Sequence, residues 1–464
     1  MRPGFDFEGK RVLVVGLART GEVVSLFAAG YGAIVTATDQ KPESELASTA
    51  EKLRAAGVKL ELGGHRPEVF LEKDLIVASP GVPLDLPLLA GARTAGIPVW
   101  SEIELAWRFL RGKLVAITGS NGKTTTTALT THLLKTAGIE TLVGGNIGTP
   151  LLSVVESSTD STVTVAEVSS FQLENIEKFR PEIGVLLNLT PDHLDRHASF
   201  AEYAAAKMRL FSNQLDRDCA VLNADDPEVT KRMPSGQQVF WFSRKKRVAA
   251  GAFLRDGQIV FRREGDEVPF GWRDDIALRG EHNVENVLAA CAAAYLAGAD
   301  PGAIANGVKT FRGVEHRLEF VAAIGGVEFF NDSKATNVDA ARKAIEAFPG
   351  PLIVILGGKD KGSPYTPLAE PLRQRARTAI LIGAAAEKLA ADLGPAVPYV
   401  HAETLERAVE LAVTAARPGD TVLLAPACSS FDQFHDYEHR GRVFKELVGS
   451  LGNRSRSGAA AQKG

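Results

Sequence analysis

Short runs that are apolar on both faces recur along the chain: RVLVVG, AIVTATD, DLIVASP, LVAITG, TVTVAEV, IGVLLNL, PLIVILGG, TAILIG and TVLLAPA. Ala- and Leu-rich stretches with helical spacing separate them. A strand that is apolar on both faces must be covered on both, and a helical crossover after each run supplies the cover. The pattern predicts an α/β protein built on parallel sheets. It divides into three blocks, residues 1–101, 102–309 and 310–464, with no internal repeat. The end of the chain, from about 453 to 464, is small and polar (GNRSRSGAAAQKG) and is expected to be disordered.

Composition narrows the picture modestly. A length of 464 residues suits several domains, and 45% hydrophobic residues suffice for several cores. The net charge of -3 gives no reason to expect a nucleic-acid or membrane surface. Cys219, Cys291 and Cys428 are odd in number and far apart, which excludes a disulfide framework and fits a reducing cytoplasm. The N-terminus lacks a signal-peptide pattern, and no run of about 18 apolar residues offers a membrane span. No repeated seam suggests an interface, so a cytoplasmic monomer is expected.

The first block carries a glycine turn between strand and helix. Gly16, Ala18 and Gly21 form G-x-A-x-x-G, and Asp39 ends the next strand, where a ribose-binding acid belongs. Three readings stay open: an NAD site, a bare βαβ unit, or a helix N-terminus that receives another phosphate, such as that of a UDP-sugar. Arg19 and Thr20 suit the last. The rigid turn SPGVP, with Ser79, Pro80 and Gly81, lies at the strand edge where α/β ligands bind. No hydride-transfer partner accompanies the motif, so a dehydrogenase ranks second.

The second block opens with ITGSNGKTTTT, between an apolar strand and a Thr-rich helix start. Only Ser120 and Asn121 separate Gly119 from Gly122, fewer than in the common phosphate loop. The context still suits phosphate: glycines let backbone N–H groups converge and the helix dipole favours anions. Lys123 can reach β- and γ-phosphates, and the Thr124 hydroxyl can ligate Mg²⁺. Glu167 ends a strand as a hard metal ligand would, and Asp192 and His193 follow another strand. His193 and His197 sit four apart, but Asp195 and Pro191 do not fit a zinc-protease helix. On its residues alone, Lys207 reads as a solvated helix lysine.

Together the stretches GSNGKTTT, GGNIGTP, EVSSFQLE, NLTPDHLDRH, YAAAKMRLF, EHNVENVLAA, VEHRLEF, NDSKATN and PACSSFDQF resemble the Mur ligase family, in family order and over nearly the whole chain. NDSKATN and PACSSFDQF are similar to the branch that adds D-glutamate. The resemblance implies a Rossmann-like UDP-binding domain, a central ATP-binding domain and a C-terminal Rossmann-like domain. It also implies an ATP-dependent ligase joining D-glutamate to UDP-N-acetylmuramoyl-L-alanine through an acyl phosphate, in peptidoglycan synthesis. Three domains would then close around the substrates and keep water from that intermediate.

The resemblance further implies roles. Gly119, Asn121, Gly122, Lys123, Thr124 and Thr125 would hold ATP phosphates. Asn283 and Asn286 would lie on the adenine side, and His316, Arg317 and Asp332 would contact the nucleotide. Thr124, Glu167, His193 and a carbamylated Lys207 would organise two Mg²⁺ ions. Lys334, Thr336, Lys361, Ser430 and Tyr437 would surround D-glutamate, with Lys334 also catalytic. Arg19, Thr20, Asp39, Ser79, Pro80, Gly81 and Asn146 would bind the UDP substrate. A ligase for another amino acid, an oxidoreductase with an accessory ATPase and a silent nucleotide-binding scaffold are the weaker readings.

Overall fold

The computed structural model describes residues 4–83, 86–146, 148–192 and 196–461. Its first five strands are β1 (Arg11–Val15), β2 (Ile34–Asp39), β3 (Lys59–Leu62), β4 (Leu75–Ala78) and β5 (Val99–Ser101). They form one parallel sheet in the order β3-β2-β1-β4-β5. Alternation along β1 shows why the run had to be apolar throughout. Val12 and Val14 enter one core, while Leu13 and Val15 enter another on the opposite face.

The second sheet contains β6 (Lys113–Thr118), β7 (Thr141–Gly145), β8 (Val163–Glu167), β9 (Ile183–Leu186), β10 (Cys219–Asn223) and β11 (Gln238–Ser243). It continues with β12 (Gly251–Arg255), β13 (Gln258–Arg263) and β14 (Asp266–Trp272). The order is β14-β13-β12-β11-β10-β9-β6-β8-β7. Parallel pairing runs from β7 to β12, and only the last two ladders are antiparallel. Their hairpins turn at Asp256-Gly257 and Glu264-Gly265, where all four residues take positive φ, as a two-residue turn between twisted strands demands.

The third sheet holds β15 (Glu319–Ile324), β16 (Val327–Asn331), β17 (Leu352–Gly357), β18 (Ala376–Ile382), β19 (Tyr399–Glu403) and β20 (Thr421–Leu424). Its order is β15-β16-β20-β17-β18-β19, parallel except for β15. Leu352, Val354 and Leu356 face one core, and Ile353 and Ile355 the other. The last helix, Tyr437–Ala461, runs through residues 453–461, where disorder was expected. That stretch contains no proline, and its closing alanines favour helix.

The described chain separates into two compact units. One comprises Met1–Ile276 with His282–Phe311 and carries the first two sheets; the other comprises Ala277–Glu281 with Arg312–Gly464 and carries the third. Within the first unit one hydrophobic cluster runs from Val12 and Val14 through Trp100, Ile103 and Trp107 to Leu114 and Ala116. The helix Glu102–Phe109 lies at the junction and carries two buried carboxylates. Glu104 Oε2 accepts N–H bonds from Glu177, Lys178 and Phe179 at 2.9, 2.9 and 2.7 Å, while Oε1 takes Arg108 Nε at 2.8 Å. Glu102 Oε1 accepts the Leu152 N–H at 2.5 Å.

Removing one partner of a buried ionic cluster leaves the others desolvated and unpaired. Glu104→Ala is therefore expected to destabilise the first unit by about 3–5 kcal/mol, read as a lowered transition in calorimetry of the full chain. A transition unchanged from wild type would show that the carboxylate does not hold the junction.

Candidate functional site

The phosphate loop joins the end of β6 to the helix Lys123–Thr136. Gly122 caps that helix at φ 84° and contributes no side-chain cap, so the first-turn N–H groups point out of the helix end. A side chain at Gly122 would be strained by this φ and would collide with the Asn286 amide. Lys123 folds back across the loop, its Nζ donating to Gly119 O at 2.8 Å and Ser120 O at 2.9 Å. Thr124 and Thr125 are buried in the first turn.

Side chains from the loop after β9 brace this turn. Asn188 Oδ1 accepts the Asn121 N–H at 2.8 Å, and its Nδ2 donates to Asn121 O at 3.1 Å. Ser120 Oγ donates to Thr190 O and accepts the Thr190 N–H, both at 2.9 Å, while Tyr203 Oη donates to the same hydroxyl at 2.9 Å. Asn286 Nδ2 donates to Asn283 Oδ1 at 3.0 Å, and both are buried.

Glu167 and Lys207 complete this cluster. Glu167 ends β8 at 2% exposure; its Oε1 accepts Asn146 Nδ2 at 3.1 Å, while its Oε2 is buried with no hydrogen-bond partner among the described residues. A buried carboxylate oxygen left unsatisfied is costly, and a hard cation is the partner that its chemistry suits. Lys207, expected from its residues alone to be solvated, is 2% exposed. Its Nζ donates to Gly119 O at 3.0 Å. Burial, then repulsion from Lys123, pushes its pKa down to about 7 against the pull of Asp192 and Glu167. His193 lies outside the described residues, whereas His197 is a packing residue. His197 Nδ1 stands 3.3 Å from Glu174 Oε1, its Nε2 pairs with Ser170 Oγ at 3.1 Å, and its ring stacks on Phe171. Among the described residues no group of three or more Asp, Glu, His and Cys could hold a metal.

The first sheet brings the expected UDP residues to the ends of β1, β2 and β4. Gly16, after β1, accepts the Ser79 Oγ bond at 2.7 Å across the point where the strand order reverses. Gly21 packs directly on Gly16 O, leaving no room for a side chain. The helix Arg19–Gly30 has no side-chain N-cap. Asp39 is engaged in holding this turn: Oδ2 accepts the Leu17 N–H at 2.6 Å and Oδ1 the Lys41 N–H at 2.8 Å. Arg19 Nη1 donates to Gly148 O at 2.6 Å, beside Asn146. Thr20 and Pro80 are half-buried and Gly81 is exposed.

In the second unit, Asp332, Lys334 and Thr336 follow β16, Lys361 follows β17 and Ser430 follows β20, three adjacent strands, while His316 and Arg317 precede β15 and Tyr437 begins the last helix. His316 is buried at φ 63°, and its Nδ1 accepts from Asn331 Nδ2 at 2.9 Å. An amide nitrogen only donates, so this ring nitrogen carries no proton. Burial keeps the ring pKa below its ordinary value. Asp332 is pushed up to about 6 by burial, with Arg317 among the groups opposing that. Lys334 lies with Nζ 5.6 Å from the centre of the Tyr437 ring, and its carbonyl accepts the Thr336 N–H at 2.8 Å. Ser430 is buried and Lys361 exposed.

Arg440, which no motif singles out, is fully buried. Its guanidinium donates to Ser333 Oγ at 3.0 Å and Ser333 O at 2.9 Å, and to Cys428 O at 3.3 Å, tying the loop after β16 to that after β20. Burial pulls its pKa down to about 10. Tyr203 and Asn188 were also missed; their role depends on a hydrogen-bond partner more than sixty residues away, which no local motif encodes.

The chain matches known families in three segments. Residues 10–101 match the Mur ligase MurD-like N-terminal domain, 117–294 the Mur ligase middle domain, and 316–428 the Mur ligase glutamate ligase domain. It is 54% identical to the UDP-N-acetylmuramoylalanine–D-glutamate ligase of Koribacter versatilis, over 96% of this chain and 98% of that protein. It is 53% identical to the protein of that name from Acidobacterium capsulatum, over 96% and 97%. Among solved structures it resembles a pseudomurein peptide ligase type C from Methanothermus fervidus, with TM-score 0.57 and 21% identity over 96% of this chain and 100% of that one. The UDP-N-acetylmuramate-alanine ligase MurC from Thermotoga maritima matches with TM-score 0.57 and 21% identity, over 95% and 99%. These two likenesses establish the shared three-domain α/β fold. With near-complete coverage at over half identity and family segments along its length, the chain belongs to the Mur ligase family.

Proposed function

We propose that the chain is an ATP-dependent ligase that joins D-glutamate to UDP-N-acetylmuramoyl-L-alanine, a step of peptidoglycan synthesis. The observation that carries this reading is the convergence of Lys123, Lys207 and the phosphate loop on one carbonyl, Gly119 O, with Glu167 among the charges acting on Lys207. Transfer of a γ-phosphoryl group to a carboxylate brings two anions together, and fixed cations and dipoles aimed at the forming charge lower that barrier. Lys123 and the open helix N-terminus would hold the phosphates. The amine of D-glutamate then attacks the acyl phosphate, and phosphate leaves. Lys334 and Lys361 have the charge that a dicarboxylic amino acid calls for, and Thr336, Ser430 and Tyr437 are assigned with them to D-glutamate.

The residues fit Mg²⁺. Thr124 supplies a hydroxyl and Glu167 an unsatisfied carboxylate oxygen; His193 and Lys207 are assigned to a second ion. Bound there, Mg²⁺ would neutralise charge between phosphate and carboxylate. Lys207 also suits carbamylation, because CO₂ adds to a neutral amine and burial favours that form. Asn283, Asn286, His316, Arg317 and Asp332 are assigned to the nucleotide. Arg19, Thr20, Asp39, Ser79, Pro80, Gly81 and Asn146 are assigned to the UDP substrate. We assign residues 1–101, 102–309 and 310–464 as the corresponding domains of a cytoplasmic monomer; among the described residues no helix is long and apolar enough to cross a membrane.

Incubation with Mg-ATP, UDP-N-acetylmuramoyl-L-alanine and single amino acids tests the activity. Phosphate release and product mass are expected to depend on D-glutamate. Release with another amino acid, or none at all, would sink the assignment. For Lys207, replacement by Ala is expected to lower kcat by about a hundredfold or more, with partial recovery when short carboxylates are added. Unchanged turnover in Lys207→Ala would reject the carbamate role.

A further inference from the structure

Two loops assigned to D-glutamate, one carrying Lys361 after β17 and the other Ser430 after β20, are linked by a buried phenol. Tyr365 is 1% exposed. Its Oη donates to Asp360 Oδ1 at 2.7 Å and lies 3.0 Å from Cys428 Sγ. Asp360 immediately precedes Lys361, and Cys428 stands two residues before Ser430.

The protons in this chain can be assigned. A phenol has one proton, and an ionised carboxylate only accepts, so the Tyr365 proton is committed to Asp360. The thiol must then donate to the phenol oxygen. Burial raises the Cys428 pKa to about 11, which keeps that proton in place. The Tyr365 hydroxyl is the largest of the influences holding Asp360 below the usual carboxylate range. From the other side Lys388 Nζ donates to Asp360 Oδ2 at 3.1 Å and to Ser363 O at 2.9 Å. Thiol and phenol thus donate in sequence toward the Asp360 carboxylate from one side and the Lys388 ammonium donates to it from the other, the thiol bond polarising the phenol bond.

Other contacts hold the same loops together at their roots: Lys359 N–H donates to Ser429 O at 2.8 Å, and Ser429 Oγ to Lys359 O at 3.1 Å. The Tyr365 relay adds a side-chain tie one residue nearer Lys361 on the first loop, at Asp360, and one residue nearer β20 on the second, at Cys428. A dicarboxylic amino acid has a fixed length, so groups on two loops grip it only at the matching separation. We propose that Tyr365 is a positioning residue that sets the separation of the Lys361 and Ser430 loops and thereby the affinity for D-glutamate. This rests on the D-glutamate assignment made above.

Tyr365→Phe in the full chain removes one oxygen and leaves the ring. The KM for D-glutamate is expected to rise about tenfold, the worth of a buried hydrogen bond to a charged group. The kcat at saturating D-glutamate and the KM values for ATP and UDP-N-acetylmuramoyl-L-alanine should stay near wild type. An unchanged D-glutamate KM, or an equal rise for all three substrates, overturns the inference. Should Tyr365→Phe fail to fold, Cys428→Ala carries the test. It is expected to raise the same KM and Cys428→Ser to restore it; an unchanged KM in Cys428→Ala overturns the inference. If wild type releases no phosphate with D-glutamate, the functional reading falls and this inference with it. If wild type does so and the variants match it, only the inference falls.

Discussion

A loop that offers some of its backbone N–H groups to an anion has only the rest to hold its shape, and here those of Ser120 and Asn121 both go to Asn188. Most turns are fixed by their own backbone hydrogen bonds; a phosphate loop has to be held from outside. Here Asn188, Thr190 and Tyr203 grip Asn121 and Ser120, and Asn286 fills the space behind Gly122. Because these residues come from the loop after β9 and from the helices Phe200–Met208 and Glu281–Ala297, the loop's conformation depends on parts of the second block far from it in the chain. Its shortness relative to the common phosphate loop is compensated by this bracing, which binds the turn at almost every residue.

The third sheet meets a similar demand differently. Its three working loops leave neighbouring strands, and a buried guanidinium at Arg440 ties two of them through carbonyl and hydroxyl oxygens. A guanidinium has five donors in a fixed plane, so it can set several backbone segments at once where a lysine would set one. Taking a cation out of water is costly, and the lowered pKa of Arg440 reflects that cost. The result is a single buried cation supporting two of the three loops from behind.

Much of this was legible in the sequence. Every run apolar on both faces became a parallel strand, because burial on both sides leaves little alternative. The strands β12 to β14 were not among the runs read as strands, although the Asp-Gly between β12 and β13 is a turn that hairpins favour. The edge strands β3 and β19 are short and partly polar, and their alternation over four or five residues was too brief to be read as a strand. At the site, motif residues such as Lys123 and Glu167 stood out by their position after strands. Lys207 did not: a lysine in an Ala-rich helix looks solvated until the fold buries it against a carbonyl. Asp39 was legible as an important acid, but its work inside the glycine turn appears only when Leu17 N–H is seen pointing at it. The supporting residues Tyr203, Asn188 and Arg440 act through partners distant in the chain, and a single sequence carries no trace of such pairings.

The hydrophobic cluster that runs unbroken from Val12 through Trp100 and Trp107 to Leu114 bears on how the protein came to be divided. The helix Glu102–Phe109 is buried along nearly its whole length, so cutting the chain on either side of it would bare apolar surface on both fragments. The first sheet therefore lacks the autonomy that its complete strand order suggests. Recombination that exchanged it alone would have to carry this helix's partners along, so the unit that evolution can shuffle intact is the pair of sheets.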